Sequence, residues 1–301
     1  MSKPLSESGL FYLFCSVAGF LLITLLDFFR NCFSQEVLFT IASTLPVFAE
    51  LAVMFWLLKK NRSFNLLGLK TTTLQSLLLS ILLTILTYPF LTFMSGFCEF
   101  LMPKSSFNLS PTSLSVFHNL GPVMGLLILA VLPGVSEELI FRGYIFGVLR
   151  KRSFMCALIM STLSFAIIHG NFNQAVYTAL FGVLLCLIRE ISGSVFPCMV
   201  CHTLFNSVSV CHLYSEPRYD ESKLPVELSQ AISSPGFSDF WLANIRLFVT
   251  SMIGLSLAVI TYGILKERNN FTFDFKANKK YPFITGGFVA GWVASIVLGI
   301  I

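Results

Sequence analysis

The chain has 301 residues, of which 55% are hydrophobic and only 12% charged, against about 25% charged in soluble domains. With a mean hydropathy of +0.80 and 32 phenylalanines, this excludes an ordinary soluble domain and predicts a single polytopic membrane domain over residues 1–301. The net charge of +5 comes from Lys and Arg between apolar segments, so it speaks to orientation in a membrane, with no basic block to hold nucleic acid.

Nine segments, approximately 9–28, 37–58, 74–98, 121–149, 153–170, 174–188, 191–213, 241–265 and 282–301, are candidates to cross a bilayer, which takes about 20 helical residues at 1.5 Å each. The expected fold is therefore all-α, a bundle of about eight to nine transmembrane helices. The sixth segment is short and the last is Gly-rich, which makes either a candidate for partial re-entry. The uncharged run from Ser8 to Leu26 outlasts the ~7–15 residues of a signal-peptide core and reads as an uncleaved first span. Residues 215–240, acidic and containing Pro and Ser, read as an extramembrane loop.

With the N-terminus inside, nine crossings place fourteen Lys and Arg in the inner connections and four in the outer ones. The rule that positive charge stays on the cytoplasmic side thus predicts a cytoplasmic N-terminus and a C-terminus outside. Eight scattered cysteines do not read as the disulfide framework of a small secreted domain. Cys198 and Cys201 form a CxxC, which on a helix is an i,i+3 pair of small apolar residues rather than a redox or zinc motif.

Ionisable groups inside spans are costly and become functional candidates. Asp27, Glu50, Glu99 and Arg246 stand singly, mostly near span ends, and read as interfacial or helix-packing groups; His118 and His212 read as interfacial histidines. A different pattern recurs on the fourth, fifth and seventh segments, which carry Glu137, Glu138 and Arg142, then Phe165 and His169, then His202 and Asn206. Glu138 and Arg142 are i,i+4 and can pair on one helix face. Glu137 is turned about 100° away and is left to face a cavity. His202 and Asn206, also i,i+4, point together. Glu137, His169, His202 and Asn206 lie 13 to 17 positions from the nearest inner basic residue, a depth of roughly 20–25 Å for all four.

A carboxylate, two histidines and an asparagine around a wet intramembrane cavity suit the activation of water against a carbonyl. Glu137 is the candidate general base. His169 orients the water or shares its proton, while His202 and Asn206 donate to the developing oxyanion. No GxSxG, Ser–Lys pair or HExxH stands in a supporting context, which argues against a serine nucleophile or a zincin site.

The three motifs EELIFR, FAIIH and HTLFN, in that order over roughly residues 121–210, resemble the EExxxR, FxxxH and HxxxN motifs of the CPBP family (CAAX prenyl endopeptidase type II, abortive infection). The resemblance implies a glutamate-type intramembrane protease with a core of eight or so helices. It also implies a catalytic core over 121–213 within that larger fold, with Glu137 as catalytic glutamate, His169 as its partner on the water, and His202 and Asn206 as the oxyanion site. Glu138 and Arg142 would support that geometry, with Phe165 beside them. Members of the family remove the last three residues of prenylated CaaX proteins, process peptides or confer bacteriocin self-immunity. The implied partners are membrane lipid and a membrane-associated or lipidated peptide, without nucleic acid. No cofactor is implied, although the family has also been described as metalloprotease, and zinc at His169, His202 and Glu137 is the alternative. Two further readings remain: a non-catalytic membrane scaffold or peptide-binding immunity protein, and a transporter using the same polar groups, against which stands the lack of an inverted repeat.

Overall fold

The computed structural model describes residues 3–29, 31–101, 111–215, 237–278 and 284–300; most of the expected acidic loop, 216–236, lies outside them. Among the described residues there is no strand, and helices follow the apolar segments. They are α1 (Lys3–Phe28), α2 (Gln35–Lys60), α3 (Leu74–Leu101), a rod running from Pro111 to Leu149, α7 (Phe154–Ile167), α8 (Phe172–Ser192), α9 (Phe196–Ser215), α10 (Phe237–Arg268) and α11 (Gly286–Ile300). The central rod is compound: α4 (Pro111–Leu126), a π-helical turn Leu127–Val131, α5 (Leu132–Glu138), a second π-helical stretch Leu139–Ile145, and α6 (Phe146–Leu149).

Six of these helices are long and apolar enough to cross a membrane: Ser6–Leu26, Gln35–Lys60, Leu74–Leu101, His118–Leu149, Gln174–Ser192 and Phe240–Arg268. The protein is a multi-pass membrane protein of all-α fold. The expected count of nine crossings is not carried by length and composition. Helix α7 has 14 residues and α11 has 15, because Gly170 at φ 66° follows the first and the second begins only at Gly286. Helix α9 has 20 residues, but His202, Thr203, Asn206, Ser207, Ser209 and His212 dilute its apolar character.

Local signals set the ends. Ser153 caps α7 by accepting from the Cys156 N–H at 3.1 Å, and Asn171 caps α8 by accepting from Gln174 at 3.1 Å. Gly193, at φ 65°, closes α8 in the left-handed conformation. Pro133-Gly134 is a helix-breaking pair by residue type, yet the rod stays helical there. The π turn at Leu127–Val131 precedes Pro133 and absorbs its missing N–H. The kink falls instead at Gly121, φ 77°.

Helix α10 packs along α3, α11 along α1, α7 along α8, and α5 along α9. Gly287 and Gly291, four apart on α11, lie against Gly9 and Tyr12 of α1, where side chains would block the approach. The core gathers on the central rod and α7 through buried Phe141, Tyr144, Phe146, Phe154 and Phe165. In spans, Ser and Thr hydroxyls donate to their own i−4 carbonyls, as Ser80 does to Ser76 at 2.8 Å and Thr84 to Ser80 at 3.0 Å, which satisfies them without water.

The basic connections meet at one end of the bundle. Arg150 donates from Nε to both Glu190 oxygens at 2.9 and 3.0 Å. Ser194 Oγ donates to the Lys70 carbonyl at 2.5 Å, Val195 N–H to Gly68 at 3.0 Å, and Asn278 N–H to Arg152 at 2.7 Å.

Candidate active site

The side chains of all three motifs converge beside the central rod. Glu138 Oε1 accepts from Arg142 Nη1 at 2.9 Å, and both side chains are fully buried. The same oxygen accepts from His202 Nδ1 at 2.8 Å. Glu138 therefore does more than pair along its own helix: it ties the rod to α9. Gly134 makes this approach possible, since a Cβ there would run into Thr203, with its backbone N at 2.8 Å and Cα at 2.9 Å. Gly182 on α8 plays a similar part for the guanidinium, whose Nη2 would stand 3.1 Å from an added Cβ.

Phe165 is the plate on which these groups rest. The Arg142 guanidinium lies 4.2 Å above its ring centroid, and His169 and His202 meet it edge-on at 5.1 and 5.8 Å. Arg142 Nε and Nη2 have no hydrogen-bond partner, so the aromatic face is what stabilises that part of the cation. The π-helical stretch releases carbonyls from the regular ladder. That of Phe141 accepts from Ser161 Oγ at 2.9 Å and that of Arg142 from Arg189 Nε at 3.2 Å, fastening the rod to α7 and α8.

His169 sits just past the end of α7, where helix carbonyls lack intrahelical donors. Its Nδ1 lies 2.7 Å from the Phe165 carbonyl. A carbonyl only accepts, so Nδ1 carries the proton and Nε2 of the neutral ring is left as an acceptor. His202 Nδ1 likewise faces an acceptor, Glu138, while its Nε2 stands 3.9 Å from Glu137 Oε2.

Glu137 is the carboxylate left accessible, its side chain 30% exposed against 0% for Glu138. Two cavities meet at Glu137 and His169, which line both. One, of about 620 Å³, is walled by Phe165, Tyr177, Phe181 and Phe205, and holds His202 and Asn206. The other, of about 440 Å³, lies toward α1, α2 and α11 and holds Glu50. The structure thus brings Glu137, His169, His202 and Asn206 around one space, with Glu138, Arg142 and Phe165 behind them. A Rce1-like family model, described as type II CAAX prenyl endopeptidase Rce1-like, matches residues 119–208.

The match of that segment to a Rce1-like domain supports the resemblance to the CPBP family. The segment runs from the end of α4 into α9 and includes every motif residue. The Rce1-like family implies a protease. No curated protein and no solved structure matches the chain.

Among the described residues no three His, Cys, Asp or Glu are grouped to hold a metal ion. None of the eight cysteines is in a disulfide, and Cys198 and Cys201 are both buried. Of the polar groups read as interfacial, Glu99 and Arg246 are exposed, and His118 stands edge-on to Tyr214 at 5.6 Å. Glu50 and His212 line the two cavities instead. Glu50 offered no signal beyond being an ionisable group 14 residues after Glu36, since no i,i+4 partner accompanies it. The side chain of Asp27 lies outside the described residues.

Proposed function

We propose that the protein is a glutamate-dependent intramembrane endopeptidase that hydrolyses a peptide bond in a membrane-associated substrate, without a metal or organic cofactor. The observation that carries this reading is the position of Glu137: an accessible carboxylate where two cavities join, with His169 and His202 beside it.

Glu137 takes a proton from water as the water oxygen attacks the carbonyl carbon. His169, its Nδ1–H held by the Phe165 carbonyl, offers Nε2 to the same water and fixes its approach. The oxyanion receives hydrogen bonds from the Asn206 amide and from His202 Nε2. His202 donates there when both ring nitrogens carry protons, because Nδ1 already faces the Glu138 carboxylate. When the tetrahedral intermediate collapses, the C–N bond breaks and the proton held by Glu137 passes to the departing amine.

The aromatic wall of the 620 Å³ cavity suits apolar side chains or a lipid anchor, so the substrate class is a lipidated or otherwise membrane-bound peptide. This covers both CaaX-type processing and peptide processing linked to self-immunity. The convergence of the basic connections at one end supports a cytoplasmic N-terminus.

The test uses purified protein in liposomes with a library of prenylated and unprenylated peptides, fragments being identified by mass spectrometry. Cleavage at a defined bond, lost in His169→Ala while the variant remains folded, is the expected result. Binding without cleavage of any peptide would favour a non-catalytic scaffold, and dissipation of a solute gradient a transporter.

A further inference from the structure

Two features outside the active site lie end to end on α7. The first is a basic edge at its start. Lys151 and Arg152 precede the helix, and residues 271–278, which follow α10, cross them. There Asn278 N–H donates to the Arg152 carbonyl at 2.7 Å, and the rings of Phe273 and Phe275 pack on Phe154 at 4.9 and 5.9 Å. The crossing brings Lys266 and Lys276 to the same edge, with Lys266 Nζ 5.7 Å above the Phe273 ring. Among the described residues, none of Lys151, Arg152, Lys266 and Lys276 stands in an ion pair. The carboxylates nearby are engaged: Glu190 pairs with Arg150 at 2.8 Å, and Asp274 accepts from the Lys276 N–H at 3.0 Å. Arg152 is half-buried, and its Nε and Nη1 are shielded without a hydrogen-bond partner among the described residues. Shielded donors on a cation call for an acceptor that carries negative charge.

The second feature is an apolar track that starts at this edge. Met155, Ile159 and Leu163, spaced i, i+4 and i+8 on α7, are exposed on one helix face. They lead into a groove of about 680 Å³ between α7, α8 and α11, walled by Leu163, Ala166, Ile167, Val176, Leu180 and Ile296 and without an ionisable side chain. Leu163 lies eleven residues beyond Arg152, about 16 Å along the helix. That is roughly half the thickness of a bilayer's hydrocarbon core, the depth of one leaflet.

We propose that the basic edge and the groove together bind one anionic phospholipid. Its phosphate accepts from Arg152 and faces Lys151 and Lys276, while an acyl chain follows Met155, Ile159 and Leu163 into the groove. A soluble phosphate would satisfy the edge and leave the groove without an occupant. A lipidated peptide would fill the groove and bring no phosphate to the edge. Only a membrane lipid with net negative charge matches both ends at the spacing of one leaflet. The far end of the groove is Gly170, which also lines the cavity of Glu137 and His169, so the bound chain packs against the outer side of the active-site wall.

The experiment titrates detergent-solubilised full-length protein with dioleoylphosphatidylglycerol or dioleoylphosphatidylcholine and counts bound lipid by native mass spectrometry. Wild type is expected to hold one phosphatidylglycerol about tenfold more tightly than phosphatidylcholine, the scale set by a few basic groups at a membrane surface. Arg152→Gln is expected to remove most of that preference, and so is Lys151→Gln/Lys276→Gln, which alters exposed positions only and carries the test if the arginine variant fails to fold. Leu163→Trp, which fills the mouth of the groove, is expected to weaken both lipids alike. Equal binding of the two lipids to wild type would overturn the proposal, as would a preference that survives in the folded lysine variant. Displacement of phosphatidylglycerol by equimolar glycerol phosphate would make the edge a site for soluble phosphate. Displacement by an equimolar neutral farnesylated peptide would give the groove to a substrate's anchor. Either result contradicts a phospholipid site, and none of these readouts depends on cleavage.

Discussion

His202 donates from Nδ1 to Glu138 Oε1 at 2.8 Å, with Glu138 fully buried and His202 nearly so. The oxygen that receives this bond also receives Arg142 at 2.9 Å. One carboxylate oxygen therefore joins the first motif to the third. The second glutamate of the pair is a structural hinge-pin, which leaves Glu137 as the one available for chemistry.

Breaking this buried group should be costly. Arg142→Met or Glu138→Leu alone leaves an unpaired charge and is expected to lower stability by about 3–5 kcal/mol, read as a fall in the thermal transition of the protein in detergent. The double variant Glu138→Leu/Arg142→Met should recover part of that loss, because no charge remains buried. Cleavage should not return in the double variant, since His202 Nδ1 still lacks its acceptor.

Gly134 holds α5 against α9. Gly134→Ala forces its Cβ onto the Thr203 backbone and should cost about 1–3 kcal/mol by overpacking. Activity should fall further than stability accounts for, because the shift separates Glu137 from His202 and Asn206. Parallel measurement of unfolding and cleavage at a temperature where the variant is folded checks this.

Asn206 lines the cavity, and the role proposed for it is confined to the transition state. Asn206→Ala is expected to reduce kcat by about 10²–10³, the usual loss for one oxyanion donor. KM should move only a few-fold and the thermal transition should hardly move. A change in KM alone would assign Asn206 to substrate binding.

Metal removal is expected to leave cleavage intact. No three His, Cys, Asp or Glu are grouped to hold a metal ion among the described residues. Assay after dialysis against a strong zinc chelator tests this, and activity lost on chelation and restored by zinc would point to a metal-assisted route.

Much of the fold was legible because apolar run length translates directly into helices in a membrane, and the nine segments found nine helical rods among the described residues. The ends of α7 and α11 were less so, since Gly170 and Gly286 shorten runs that hydropathy alone would extend. At the site, the i,i+4 spacing disclosed the Glu138–Arg142 pair, and matched depths brought four residues from three helices together. The bond from His202 to Glu138 was not legible, because it depends on the close approach at Gly134, and spacing within one helix says nothing about distance to another. Glu50 was missed for the same reason: its place in a cavity is shared with residues 87 or more positions away, Glu137 and His169.

The division of labour between the adjacent glutamates is tested most directly by Glu137→Gln, which keeps the side chain's shape and removes the base. Single-turnover cleavage of a peptide substrate in liposomes, with the thermal transition recorded alongside, is the measurement. The predicted result is an unchanged transition and a rate lowered by about 10²–10⁴. Full-rate cleavage by the folded variant would contradict the account.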